Sequence, residues 1–136
     1  MCIRDSGYLA LNQGRLDDAL AIYREVERMS PVGRGLVRWE PEYAETLIRT
    51  GHREKAQGVV DDLERLLTPE LLWPNGFGRP KGMLADDDDE ASAYFERTVE
   101  TAIQQGNLVG AGRTEVLWGE RPVSYTHLTL PTIYSV

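Results

Sequence analysis

The chain is poor in the residues that most often carry chemistry. Its 136 residues include one cysteine, Cys2, and two histidines, His52 and His127. A disulfide framework, a thiolate metal site and a cysteine nucleophile are excluded for everything between the ends. The serines between residues 7 and 121 are Ser30 and Ser92. With His52 as the sole imidazole there, no nucleophile–base–orienter set can be assembled, so no catalytic residues are assigned. A metal at His52 would need partners at ligand spacing, and it has none, which leaves it as a turn residue after Gly51. No apolar run approaches the roughly 18–20 residues of a membrane span. Alternation of period two is confined to the last residues, so β structure is not expected. Acid, by contrast, is plentiful. The net charge of −7 repels phosphate backbones and anionic lipid surfaces, so neither nucleic acid nor membrane is an expected partner of this segment.

The two ends differ from what lies between them. Reverse translation of MCIRDS, read on the complementary strand, gives a Pro, Ser, Thr or Ala codon followed by VSYTH, and Pro122 to His127 read PVSYTH. The inverted pair resembles the transposon end used to attach sequencing adapters. Residues 1–6 and 122–136 are therefore read as adapter-derived and expected to be irregular, leaving 7–121 as the biological segment. That segment is expected to be an internal piece of a longer gene. Its 12 Arg against 2 Lys are read as the codon usage of a GC-rich bacterium.

Within it the chain repeats. GRLDDALAIYREVERMSP from Gly14 aligns with GHREKAQGVVDDLERLLTP from Gly51, placing Gly14, Ala19, Tyr23 and Val26 each 37 residues before Gly51, Ala56, Val60 and Leu63. A weaker third copy puts Ala91, Tyr94 and Phe95 35 residues after Ala56, Val59 and Val60. Leu16, Ala19, Leu20, Tyr23 and Val26 recur at helical spacing, as do Ala56, Val59, Val60, Leu63 and Leu67. Ala91, Tyr94, Phe95, Val99, Ala102 and Ile103 form the third stripe. Shorter helical patterns precede the first two, over 7–12 and 41–50, with Gly14 and Gly51 turning one helix into the next. In the third copy that place holds Asp86, and PNGFGRPKG stands where its first helix belongs. Pro74 and Pro80 are expected to break or kink a helix there, making a bent connector. A last helix is expected over 111–120.

Gly14, Ala19, Tyr23, Val26 and Pro31 together resemble the tetratricopeptide repeat. The runs WEPEYAETLIRTGHREKA, GMLADDDDEASAYFERTVE and RTEVLWGER are similar to the helical-repeat region of large ATP-dependent LuxR-type transcriptional regulators. The resemblance implies an all-α chain of antiparallel helix pairs stacked as an incomplete superhelix. Leu16, Ala19, Tyr23, Val26, Ala56, Val60, Leu63, Ala91 and Phe95 would pack the repeats. The parent would be a cytoplasmic regulator whose ATPase and DNA-binding domains lie elsewhere. This stretch would hold a protein or a small-molecule inducer on a concave face, without cofactor or metal. A general tetratricopeptide adaptor and a helical accessory region of an enzyme are the other readings.

The remaining motifs are bland. The run from Asp86 to Glu90 lacks the spaced acids, glycine and distal glutamate of a calcium loop, and reads as an acidic first helical turn. GFGRPKG has neither dinucleotide-fingerprint spacing nor a phosphate-loop ending. Trp39, Trp73 and Trp118 are core aromatics by default and a candidate groove if the fold groups them. Interior repeats bury their faces against neighbours, so marginal stability or self-association through the two outermost helices is expected.

Overall fold

The computed structural model describes residues 3–33 and 38–120, and its regular structure there is entirely helical. In chain order the helices are α1 (Ile3–Asn12), α2 (Leu16–Met29), α3 (Glu40–Arg49), α4 (Arg53–Leu66) and α5 (Pro69–Leu72). After a 3-10 turn at Trp73–Asn75 come α6 (Gly78–Leu84), α7 (Asp88–Gln104) and α8 (Leu108–Glu120).

Three of the connections are one motif. Gly14 donates to the Leu11 carbonyl and Arg15 to that of Ala10. Gly51 and His52 repeat the pattern onto Ile48 and Leu47, and Gly106 and Asn107 onto Ile103 and Ala102. The three glycines sit at φ of 76, 87 and 73°, the left-handed conformation that closes such a helix end at no Cβ cost. The sequence marks Gly14 and Gly51 as turns, and the third, Gly106, joins α7 to α8.

The helices stack in a regular order. α1 packs on α2, α3 on α4, and α6 on α7. An inner row also forms, in which α1 touches α3, α3 touches α6, and α6 touches α8. Each inner helix after the first also rests on the outer helix before it, α3 on α2, α6 on α4, and α8 on α7. The repeat residues occupy matching places in this scheme. Ala19, Ala56 and Ala91 are each 0% exposed on α2, α4 and α7, and Tyr23, Val60 and Phe95 are buried one turn further on. Val26 and Leu63 are buried, and Leu16 lies at the edge of the same core with Leu11, Trp39, Tyr43, Leu47 and Phe77. A smaller cluster joins Ala91, Phe95 and Leu117 to the Trp118 ring.

Three expectations are corrected. PNGFGRPKG is only in part a connector, because its second half forms the first turns of α6. Pro80 is tolerated as the third residue of that helix, where the backbone N–H has no intrahelical partner to lose. The glycines let α6 lie directly on α7. A Cβ on Gly82 would come within 2.6 Å of the Phe95 ring, and one on Gly78 would strike Thr98 Oγ1 and lie 2.8 Å from the Tyr94 carbonyl. Residues 3–6, expected to be irregular, are helical. Ile3 to Ser6 form the first turn of α1, with Asp5 at its positive end and Ile3 against the core. Finally, Ile103 is 55% exposed, and Thr98 takes the buried place on α7 opposite Gly78. The expected features of residues 121–136 lie outside the described residues. The acidic run behaves as read: Asp87 caps α7 by accepting from Glu90 N at 3.0 Å, and Asp88, Asp89 and Glu90 form its first turn.

Candidate binding site

α3 is the centre of the molecule. Outer helices, α6 and α1 surround it, so Glu40, Tyr43, Ala44, Glu45, Thr46 and Leu47 are all buried along a ten-residue helix. Its charged side chains cannot all reach water, and partners from neighbouring helices meet them instead.

Glu45 is fully buried and gathers three guanidinium groups. Arg113, from α8, donates through Nη2 to both carboxylate oxygens, at 2.9 Å to Oε1 and 2.7 Å to Oε2. Arg49, one turn along α3, lies 3.5 Å from Oε2, and Arg79 Nε from α6 lies 3.8 Å from Oε1. Arg79 reaches its second carboxylate, Glu42, at 2.9 Å through Nη2. Gly76, at φ 80°, makes room for this guanidinium, because a Cβ there would collide with it. Arg113 Nη1 is buried without a hydrogen-bond partner among the described residues, but the Tyr8 ring of α1 lies 5.4 Å from the guanidinium carbon. That distance is within the range of a cation–π contact. The network thus ties α1, α3, α6 and α8 together across the inner row.

Burial pushes the Glu42 carboxyl up, against the pull of Arg79. Burial also raises the Tyr23 phenol, reinforced by the charges of Glu42 and Glu45. For Arg113, burial disfavours the charge, but Glu45, Tyr8 and Glu42 outweigh it and hold the group above its ordinary value. At the head of α3, Glu40 is likewise buried and accepts from Gly33 N at 2.8 Å, Trp39 N at 3.1 Å and Arg38 Nη1 at 3.2 Å.

The network leaves a cavity on either side. One, of about 180 Å³, is lined by Tyr8, Arg38, Glu42, Trp73, Arg79 and Asn107, among others. The second, of about 280 Å³, lies between α1, α3 and α8, with Leu11 and Leu117 on its wall beside Arg49 and Arg113. Both fall below the roughly 300–1,000 Å³ usual for drug-sized ligands, so what fits is small.

The structure does not group the three tryptophans. Trp39 is buried beside Tyr43, with ring centroids 5.5 Å apart, and its Nε1 has no partner among the described residues. Trp73 lines the first cavity with Tyr94 stacked at 6.1 Å and Arg97 over its ring at 3.8 Å. Trp118 stacks on Phe95 in the smaller core. His52 is exposed at the α3–α4 turn, its Nδ1 3.0 Å from Thr50 Oγ1. No group of three metal-binding side chains occurs among the described residues. No described helix is long and apolar enough to cross a membrane.

The residues that make the inner face, Tyr8, Glu42, Glu45, Arg79 and Arg113, carry no sequence motif. The one signal is that WEPEYAETLIR and RTEVLWGER each place charges beside buried apolar positions. Compared with protein-family models, with curated proteins and with solved structures, the chain matches none.

Proposed function

We propose that this chain is a non-catalytic binding module of stacked, tetratricopeptide-like helix pairs, the sensor stretch of a cytoplasmic LuxR-type ATP-dependent regulator. The observation that carries this reading is the packing order. α3 and α6 each rest on their own outer partner and on the pair before it, and α8 rests on the pair α6–α7. In helical-repeat proteins such stacking leaves an inner surface on which ligands are held. The motif resemblance of WEPEYAETLIRTGHREKA and RTEVLWGER supplies the regulator part. DNA contact and ATP hydrolysis would belong to other domains of the parent.

The inner surface favours a small-molecule inducer over a peptide. The Arg113–Glu45 contact crosses it and divides it into two small cavities, neither of which would admit a helix of about 10 Å diameter.

The reading is tested by sequencing the source DNA outward with long, adapter-free reads. A P-loop ATPase upstream and a helix-turn-helix downstream are expected. Uninterrupted further repeats would instead make the chain an adaptor, and a catalytic signature would make it an accessory region of an enzyme.

A further inference from the structure

The cavity between α1, α3 and α8 combines two features that seldom meet on a structural surface: an apolar wall and guanidinium groups with donors to spare. We propose that it binds a small aliphatic monocarboxylate, the head held by Arg49 and Arg113 and the chain laid against Val116 and the edge of Leu117. This deepens the sensor reading and rests on it in one respect, that the inner face is where the module binds.

The charge balance comes first. Three guanidinium groups, Arg49, Arg79 and Arg113, surround Glu45, and the one other carboxylate among them, Glu42, is engaged by Arg79. Two carboxylates therefore serve three cations. Burial also disfavours the charge on Glu42, which widens the surplus. Of these groups Arg49, Arg113 and Glu45 line the cavity itself, with Glu120 as the second carboxylate on its wall, so anion binding there rests on the loosely held Arg49 and not on a net positive charge. Arg49 is the loosest member. It stands 3.5 Å from Glu45, and its side chain is 32% exposed, so it can turn to a ligand without abandoning a strong bond.

Shape and rim set the rest. A volume of about 280 Å³ suits a short chain; Leu11 and Leu117, 1 and 7% exposed, belong to the core behind the cavity, and Val116, 60% exposed, supplies the apolar surface that a ligand would touch. Glu120 lies at the rim. Its negative charge there disfavours a dianion such as phosphate and leaves a single carboxylate as the better match. An anion bound here competes with Glu45 for Arg113, the contact that holds α8 to α3. Occupancy would therefore be felt in the packing of α8.

The test is calorimetric titration of the full chain with hexanoate, hexan-1-ol and hexylammonium. Hexanoate should bind at least about tenfold more tightly than the alcohol, and the ammonium should not bind, as charge-assisted hydrogen bonds require. Arg49→Gln should weaken hexanoate about tenfold while the far-UV helical signal stays unchanged. Equal binding of alcohol and acid would reduce the site to an apolar hole and overturn the proposal. Absence of binding at millimolar ligand, or a neutral effect of Arg49→Gln, would overturn it as well. The flanking-domain test is independent, so a regulator context without hexanoate binding refutes this inference alone.

Discussion

Arg113 and Glu45 are 68 positions apart in sequence, yet one guanidinium nitrogen lies within 2.9 Å of both oxygens of a carboxylate that is wholly buried. Coulomb attraction does not make such a pair strongly stabilising, because desolvation offsets most of it. Removing one partner is costly, because the other stays buried and unpaired. Glu45→Ala should therefore cost about 3–5 kcal/mol in chemical denaturation. Arg113→Ala should cost less, since Arg49 and Arg79 still face Glu45. Equal losses for the two would mean that the carboxylate is not shared.

Two glycines test how α6 is seated. Gly78→Ala puts a methyl group into Thr98 and the Tyr94 backbone, neither of which is the free end of a flexible chain, and should destabilise by about 1–3 kcal/mol. Gly58, inside α4, has nothing within 4 Å of an added Cβ. Gly58→Ala should stabilise by about 0.5–1 kcal/mol through helix propensity alone. Urea melts of the two variants should move in opposite directions, and the same sign for both would contradict the close approach of α6 to α7.

The contrast shows what the sequence could and could not carry. The buried stripes of α2 and α4 are legible because Ala19, Tyr23, Ala56 and Val60 recur at 3.6-residue spacing and at a fixed offset. α6 is hidden in the sequence because Pro80 and the glycines of PNGFGRPKG are ordinarily helix breakers. In place, the proline falls in the first turn and the glycines are contact surface. The Glu42–Arg79–Glu45–Arg113 network was not legible at all. Local pattern assigns a charged residue to the solvent face, and only the stacking of α6 and α8 onto α3 turns that face inward. Trp39, Trp73 and Trp118 failed to converge for the same reason. Each packs on its nearest aromatic neighbour, and no periodicity encodes which neighbours meet.

Glu42 predicts a pH dependence with a definite sign. Its folded-state carboxyl is raised by burial, so the folded protein holds this proton more tightly than the unfolded chain does. The stability that Glu42 contributes is then fully present below the ordinary value of 4.5 and is lost as pH rises through the higher folded value. Glu42→Gln imitates the protonated form and keeps an acceptor for Arg79. Melting temperatures of the two proteins should agree near pH 4 and diverge above it, with the Gln variant the more stable at pH 7, an effect of order 1 kcal/mol per pKa unit. A Gln variant that falls behind as pH rises would show that the Arg79 attraction exceeds the cost of burial.

The exposed apolar residues of α8 carry the last prediction. Gly110, Ala111, Thr114 and Leu117 are buried under the fold, while Leu108, Val109 and Val116 are 73, 66 and 60% exposed. Ile103, near the end of α7, is 55% exposed as well. Earlier inner helices do not stand bare in this way, since α1, α3 and α6 each have a following helix packed on them. A single exposed apolar residue means little, but several together on one helix favour association. Three exposed apolar side chains are far fewer than the roughly 20–30 residues a side of a stable interface, so the association should be weak and concentration-dependent. Sedimentation velocity from micromolar to near-millimolar protein should show a rising weight-average mass. Val109→Glu should return it to that of the monomer without loss of helicity, because Val109 is 66% exposed and contributes little to the core. A wild-type chain that stays monomeric throughout would mean that the exposed face of α8 is adequately solvated as it stands.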